Sequence, residues 1–345
     1  MVKETLTAGG DDDGRRLDRI LRKSFPATPL SALHRLLRKG AVTVNGKKAA
    51  AATRVSTGDV IEFTMEGGGG GRREQGTGNR EDVSSLVFDT IGKPHRNNID
   101  LQSENPFPVP RSPAAMQRSL SILFENDDVL ALNKSVGVLV HGEGSLEGDV
   151  RGYLAGRIPQ SLSFSPGPAH RLDRGTSGLI LFSKSLDGAR YISRGLREGI
   201  FCKTYLAIVE GKITGEEFWE DALLRDRQAK KTIVGQGEGL CKAKSALTRV
   251  KALAHTERLT LVEARIETGR THQIRAQAAA RGHPLVHDRK YGGTGSASGI
   301  GGKTFYLHSH CIEFPVDNPL HLAPRITAPL PPAFQRMIDT FFMEQ

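Results

Sequence analysis

Short β-type segments follow one another from about residue 119 onward, and few helices separate them. They are runs of apolar and β-branched residues, namely "SILFENDDVLALNKSVGVLVH", "GLILFSK", "KTYLAIVEG", "SALTRVKALAH", "LTLVEARIE" and "KTFYLHSHCIEF". Helical patterns occur in two stretches, "LDGARYISRGLREG" and "THQIRAQAAARG". Parallel strands would need a crossover helix between most neighbours, and two helices are too few. The pattern therefore predicts an α+β domain over residues 115–340, built on a mixed, largely antiparallel sheet.

A second, smaller unit is predicted over residues 15–66. Two sets of apolar residues there have helical spacing, namely Leu17, Ile20 and Leu21, and then Leu33, Leu36 and Leu37. The alternating run "AVTVNGKKA" follows, and its Asn45-Gly46 pair is a strong hairpin signal. This order of elements indicates a small α/β domain ahead of the larger one.

Basic residues concentrate in this smaller unit, within a chain of net charge +10 and pI near 9.6. The excess of positive charge favours a polyanionic partner such as nucleic acid. A charge cluster on one helix is usually only a solvated face, but here it is followed closely by a basic hairpin. We therefore expect a surface that contacts nucleic-acid phosphates, formed by Arg35, Arg38, Lys39 and Lys47.

Residues 67–114 are predicted to be a flexible linker, because this Gly-, Pro- and Asn-rich stretch lacks sustained periodicity. The short run "SSLVFDTI" at 84–91 is its one candidate for local packing. No apolar run is long enough to span a membrane, and no secretory leader is evident. The three scattered cysteines form no CxxC pair. We expect a cytoplasmic, monomeric protein.

Several familiar site motifs are incomplete in this sequence. "SGIGGKT" at 298–304 resembles a phosphate-binding loop, but Ala297 stands where its first glycine belongs. His308 and His310 share a strand face, and no third metal ligand has a recognisable spacing. We therefore predict no metal site and no nucleotide cofactor.

The stretch "AHRLDRGTSGLILFSKS" places Asp173 between Arg171 and Arg174, ahead of a small-residue turn. Nearby positive charge favours the ionised carboxylate, which suits a nucleophile or a base better than a general acid. The glycines on either side of Thr176 and Ser177 allow a tight turn and close approach of a ligand. The alternative is that Asp173 only caps this turn, and the residues of the stretch leave both readings open.

Two further segments carry candidate site residues. Tyr205 interrupts an otherwise aliphatic strand, which is consistent either with core packing or with an aromatic ring stacked on a nucleobase. "GRTHQIR" begins a helix that carries His272, Gln273 and Arg275 in its first turns, where a phosphate or carboxylate would be stabilised.

Together these segments resemble the RluA-type pseudouridine synthases. "HRLDRGTSGLILFSKS", "KTYLAIVEG" and "GRTHQIR" are similar to the three active-site motifs of that family, in the family's order, over about residues 119–335. The unit at 15–66, and "LRKGAVTVNGKK" in particular, resembles the S4 RNA-binding domain. The stretch "VLVHGEGS" is most similar to members that act on large-subunit ribosomal RNA.

The resemblance implies a role for each matching residue. Asp173 would be the nucleophile, Tyr205 the tyrosine that stacks on the base, and Arg275 the basic partner of the aspartate. Arg171 would fill the space of the flipped-out nucleotide, whose extrusion costs a few kcal/mol of stacking. The family's chemistry needs no cofactor. The residues expected to contact RNA are His170, Arg171, Arg270, His272 and Gln273.

The sequence departs from the family pattern at three positions. Ser135 replaces a proline, Gly175 replaces an acidic or polar residue, and His287 stands where "GDxxYG" begins with glycine. We interpret the first two as local backbone variation. The third leaves the detailed shape of the uridine pocket open.

Three other functions remain as alternatives. A ribosome-assembly factor with a decayed site would be expected to have lost one of the three motif residues, and all are present. A synthase acting on transfer RNA would have the same motifs. A glycoside hydrolase would need a second facing carboxylate, and the motifs contain no obvious one.

Overall fold

In a computed structural model of the chain, the described residues are 2–25, 28–65, 119–158, 161–162, 164–226, 228–235, 243–295 and 304–343. They form two compact units. The first holds the described residues of Met1–Pro113 and of Leu154–Ser165, and the second holds those of Ala114–Tyr153 and Pro166–Gln345. The predicted linker at 67–114, the run at 84–91 and the glycine-rich stretch at 297–303 lie outside the described residues.

The first unit contains a four-stranded antiparallel sheet, a two-stranded sheet and two helices. In chain order its elements are β1 (Val2–Thr7), β2 (Arg15–Arg16), α1 (Leu17–Ser24), α2 (Leu30–Lys39), β3 (Val42–Val44), β4 (Lys47–Lys48), β5 (Arg54–Val55) and β6 (Val60–Met65). The sheet order is β1-β6-β3-β4, and β2 pairs with β5. Strand β1 precedes residue 15, so this sheet begins earlier in the chain than the predicted start of the domain.

The predicted apolar faces form the core of this unit. Leu17, Ile20 and Leu21 of α1 are fully buried, and Leu33 and Leu37 of α2 pack against them. Burying leucine and isoleucine side chains contributes roughly 1.5–3 kcal/mol each.

The predicted hairpin joins β3 to β4. Asn45 and Gly46 both have positive φ, 51° and 73°, as the two central residues of a type I′ turn require. The Asn45 side chain also bonds Asp59 and the Val60 amide, which ties the turn to β6.

The second unit is built on one large sheet. Its elements are β7 (Ile122–Glu125), β8 (Val129–Lys134), α3 (Leu146–Leu154), β9 (Gly167–Pro168), β10 (Ser177–Ser183), α4 (Leu186–Arg197), β11 (Cys202–Glu210), β12 (Glu216–Asp226), β13 (Lys231–Val234), β14 (Lys244–His255), β15 (Leu259–Ile266), α5 (Gln273–Ala280), β16 (Leu307–Glu313), β17 (Arg325–Thr327) and α6 (Pro332–Ile338). The strand order is β13-β12-β14-β15-β11-β16-β10-β8-β7, with β9 and β17 attached at the side.

The predicted fold class is confirmed. Among the described strand pairs, only β10 with β16 is parallel, and it joins two antiparallel halves of the sheet. Strands β8, β10 and β11 are buried along nearly their whole length, as their continuous apolar sequences indicate. The turn before β10, strand β11 and the start of α5 carry the candidate residues of the three predicted motifs.

Six elements of the second unit were not predicted from the sequence, and two of them, β9 and β17, are only 2 and 3 residues long. Strand β12 is rich in charged residues, and β13 pairs with it at the sheet edge, so neither has a clear apolar alternation. Helix α3 has a weak apolar face, and α6 begins in a proline pair. Trp219 of β12 is nevertheless buried, because β12 packs against α5.

Candidate active site

Asp173 lies in a tight turn that the loop after β8 holds in place. Its carbonyl accepts the Thr176 amide at 3.0 Å, which closes the turn. The Gly137 amide donates to the Arg174 carbonyl at 2.8 Å, and the Arg174 Nε donates back to the Gly137 carbonyl at 3.0 Å. The loop after β8 therefore positions the turn that carries Asp173.

A buried lysine completes this attachment. Lys134 ends β8, and its Nζ donates to the carbonyls of Ser135, Val138 and Arg174. Burial lowers the pKa of Lys134 to about 8, although the Asp173 carboxylate opposes this shift. The amine thus links the loop after β8 to the turn that carries Asp173.

Glycines in the turn make room for neighbouring groups. A Cβ at Gly178, where φ is +104°, would lie 2.2 Å from the Ser309 carbonyl oxygen of β16. A Cβ at Gly175 would lie 2.8 Å from both the Phe305 ring and the Thr304 hydroxyl. The departure at Gly175 is therefore not mere backbone variation, because the missing side chain leaves space for Phe305.

Arg275 connects Asp173 to a second carboxylate. Its Nη1 donates to Asp173 Oδ2 at 2.8 Å. Its Nε and Nη2 make a bidentate pair with Asp288, at 2.7 and 2.9 Å. The Asp288 side chain is 1% exposed and that of Arg275 7%, whereas that of Asp173 is 16% exposed. Asp288 therefore anchors the guanidinium, and Asp173 is the carboxylate that faces the open side.

Two aromatic rings flank the same guanidinium. It lies 4.2 Å from the centre of the Phe305 ring and 4.9 Å from that of Tyr291. Such contacts stabilise a desolvated cation. They also restrict the guanidinium to the orientation that reaches Asp173.

His272 approaches the same carboxylate oxygen. Its Nε2 is 3.7 Å from Asp173 Oδ2, and its Nδ1 is 2.8 Å from the Tyr291 hydroxyl. Tyr291 accepts the Thr232 amide, so its own proton is free for Nδ1, which leaves the histidine proton on Nε2 toward Asp173. Burial lowers the pKa of His272 to about 4, against the pull of the carboxylate. The ring is therefore neutral near pH 7.

Tyr205 is buried in β11 beside the carboxylate. Burial raises its pKa to about 12, the Asp173 charge adds to this shift, and a hydrogen bond to Ser309 opposes it. The hydroxyl is consequently protonated at any physiological pH, and 7% of the residue is exposed.

The other residues predicted to contact RNA differ in accessibility. Arg171 and Arg270 are exposed, and the Nε of Arg270 donates to the Ser245 carbonyl. His170 is half-buried, and its Nε2 accepts the Leu181 amide at 3.1 Å. The four residues of the first unit that were predicted to contact RNA are all exposed, namely Arg35, Arg38, Lys39 and Lys47.

Gln273 is placed differently from its predicted role. It is buried, its Oε1 accepts from the Thr268 hydroxyl and the Arg270 amide, and its Nε2 donates to Leu247 and Thr248. These bonds use its polar atoms inside the protein. The geometry favours a role in holding the start of α5 against β14.

His287 accounts for the third departure from the family pattern. Its φ is +65°, a left-handed conformation that favours glycine. The ring fills the space above Gly295, where a Cβ would lie 1.9 Å from the imidazole. Since Asp288 follows directly, this strained residue sits next to the anchor of Arg275.

Sequence reasoning missed several residues of this site. Asp288 and Tyr291 lie in "HDRKYGG". The likeness of this stretch to "GDxxYG" is the signal that could have identified them as site residues. Phe305 and Lys134 had none, because each acts through a contact with a distant segment. Two exposed basic residues, Arg225 and Lys290, also lower the pKa of His272 and therefore lie near the site.

Buried neutral histidines predict that stability falls in mild acid. Burial lowers the pKa of His170 to about 3 and those of His272 and His308 to about 4. As the pH falls below about 6.5, the unfolded chain binds these protons first, so the free energy of unfolding decreases between pH 6.5 and 4. Each histidine contributes up to about 1.4 kcal/mol per pH unit.

Urea unfolding at pH 7, 6 and 5 measures this loss. His308 is fully buried between the Ser177 hydroxyl and the Ala328 carbonyl, so His308→Gln should make the pH dependence shallower. An equal pH slope in wild type and variant would contradict the assignment.

The structure brings together Asp173, Tyr205 and Arg275, one residue from each of the three motifs that resemble the pseudouridine synthases. The chain belongs to this family of enzymes, which isomerise uridine to pseudouridine in RNA. Residues 128–280 match the family described as RNA pseudouridylate synthase, and residues 15–61 match the S4 domain.

Similar proteins cover almost the whole chain. It is 31% identical to ribosomal large subunit pseudouridine synthase C of Salmonella typhimurium, over 97% of this chain and 95% of the relative. The Yersinia pestis protein of the same name is also 31% identical, over 95% and 92%.

A solved structure of similar fold covers about two thirds of the chain. The human protein RNA pseudouridylate synthase domain containing 1 is 26% identical, with a TM-score of 0.52, and covers 64% of this chain and 88% of its own. In the part of the chain that the structure describes, no helix is long and apolar enough to span a membrane.

Proposed function

We propose that this enzyme modifies uridines of large-subunit ribosomal RNA, with Asp173 as the nucleophile. The assignment of Asp173 as the nucleophile rests on the 2.8 Å hydrogen bond from Arg275 to Asp173 Oδ2. The guanidinium that makes this bond is already anchored by Asp288. Both described ion-pair contacts of Asp173 fall on Oδ2. Oδ1 is the oxygen that we assign to the substrate.

The isomerisation requires no external reactant. The bond from N1 of the base to C1′ of the ribose breaks, and a bond from C5 to C1′ forms. C5 loses a proton and N1 gains one, so atoms and charge balance. Asp173 assists the cleavage, either by adding to C1′ or by removing a ribose proton to give a glycal.

Tyr205 and Arg171 are proposed to hold the RNA during this reaction. Tyr205 is adjacent to Asp173 and stays protonated, which suits stacking on the base and donation of a hydrogen bond. Arg171 is two residues from Asp173 and exposed, as a side chain that replaces an extruded nucleotide must be.

The first unit is proposed to bind RNA independently of the chemistry. Residues 15–66 would act as an S4-type domain through Arg35, Arg38, Lys39 and Lys47, with 67–114 as a linker to a catalytic domain at 115–340. We propose that the enzyme works as a cytoplasmic monomer. The names of the relatives from Salmonella typhimurium and Yersinia pestis support ribosomal RNA as the substrate.

Mapping pseudouridines in total RNA tests the proposal. Cells lacking the gene should lose pseudouridine at one to a few large-subunit sites. The wild-type gene should restore these sites, and the Asp173→Asn gene should not. Loss in transfer RNA alone would replace the proposed substrate, and no loss in any RNA would favour an assembly factor.

A further inference from the structure

Lys203 is a buried lysine that the mechanism above does not use. It is 6% exposed, and it lies in β11 two residues before Tyr205. The pairing of β11 with β15 is regular from Lys203 to Glu210, so Lys203 and Tyr205 point to the same face of the sheet. Its strand neighbours on the two sides are Ile266 and Ile312, which offer no polar group.

The groups around Lys203 do not neutralise its charge. Arg270, His170 and Cys202 face it, and among the described residues no carboxylate forms an ion pair with it. Arg270 is positive, and His170 is a neutral acceptor already bonded to the Leu181 amide. Burial, and then the charge of Arg270, lower the pKa of Lys203 to about 8.

A backbone opening lies next to the amine. A Cβ at Gly269 would meet only the Lys203 Nζ, at 3.6 Å, and Gly269 itself is exposed. Arg270 follows directly and is also exposed. A ligand in solvent can therefore reach the Lys203 amine past Gly269, which has no side chain, and next to the positive charge of Arg270.

We propose that Lys203, together with Arg270 and the backbone at Gly269, binds a phosphate of the RNA strand next to the uridine held at Tyr205. A buried ammonium without a counter-ion is costly, and a phosphate would supply the missing charge. Two residues of strand separate Lys203 from Tyr205 by about 7 Å, which is short enough for one nucleotide to contact both. The inference rests on the proposed action on RNA.

Lys203→Met tests this contact, because methionine keeps the apolar stem and removes the charge. The probe is an in vitro transcript of large-subunit ribosomal RNA, bound to proteins that also carry Asp173→Asn to prevent turnover. The affinity should fall about 10-fold. The slope of log affinity against log salt should decrease by about 0.7–0.9, the value for one phosphate.

Two further readouts separate phosphate binding from a structural role. The variant should unfold at an equal or higher urea concentration, because an unpaired buried charge is gone. The wild-type affinity should also weaken as the pH rises above 8, and the Lys203→Met affinity should weaken less. Lys134 titrates in the same range but is present in both proteins, so the difference belongs to Lys203.

The matched control is Lys212→Met. Lys212 is exposed and pairs with Glu257 at 2.6 Å, so its removal should leave affinity and salt slope unchanged. An unchanged salt slope in Lys203→Met, or a loss of stability that accounts for the weaker binding, would overturn the proposal. If wild-type protein modifies the RNA while Lys203→Met binds it normally, only this inference fails and the proposed function stands.

Discussion

Asp173→Asn should abolish pseudouridine formation, with a rate loss of at least about 10³-fold. The amide is nearly isosteric with the carboxylate, but it is a poor nucleophile and carries no charge to pair with Arg275. Folding should be preserved, because Asp288 still neutralises the guanidinium through two hydrogen bonds. RNA binding should also survive. The measurement is single-turnover conversion of uridine in a ribosomal RNA transcript, together with urea unfolding of the same protein.

Asp187→Asn is the matched control for this substitution. Asp187 lies at the start of α4, and its carboxylate is exposed and pairs with Arg190 at 3.1 Å. It should retain full activity. Product formation by Asp173→Asn at a rate close to wild type would show that Asp173 is only a turn residue.

Arg275→Met should reduce both stability and activity. Asp288 is 1% exposed and would keep a buried charge without a partner. Breaking such a pair costs about 3–5 kcal/mol. Asp173 would at the same time lose the group that orients it. Urea unfolding and single-turnover kinetics measure the two effects on one preparation.

A second substitution separates the two effects. In the double variant Arg275→Met with Asp288→Asn, the uncompensated charge is gone, so much of the stability should return while activity stays low. Arg281→Met is the control, since Arg281 pairs with the less buried Asp221 and should cost less stability. Recovery of activity together with stability in the double variant would show that Arg275 only supports the fold.

The extent of prediction from sequence differed between the two units. In the first unit, apolar spacing and the Asn45-Gly46 turn were sufficient, because helix faces and two-residue hairpins depend on neighbours a few residues apart. Strand β1 escaped this reasoning, since its partner β6 lies more than 50 residues further on.

The sheet of the second unit was predicted in its class but not in its order. Continuous apolar runs marked β8, β10 and β11, whereas the charged strand β12 was missed because an edge region of the sheet has no strict alternation. The single parallel pair between β10 and β16 joins segments about 130 residues apart, and no local pattern encodes that choice.

The sequence by itself determined the family to which this protein belongs. Asp173, Tyr205 and Arg275 stand in three motifs that resemble those of the pseudouridine synthases, and the resemblance implies their roles. Their identities are local properties of the chain, and they are readable without coordinates.

Only the tertiary structure decided how these residues are held. Asp288 anchors Arg275, Phe305 occupies the space that Gly175 leaves open, and Lys134 ties the turn that carries Asp173 to β8. The contacts of Phe305 and Lys134 join segments that are distant in sequence. The pairing of Arg275 with Asp288 is closer in the chain, but it depends on burial, which raises the cost of an unpaired charge. Gln273 is buried, whereas Arg270 in the same motif is exposed. This difference arises because helix register and packing determine which side chains reach solvent.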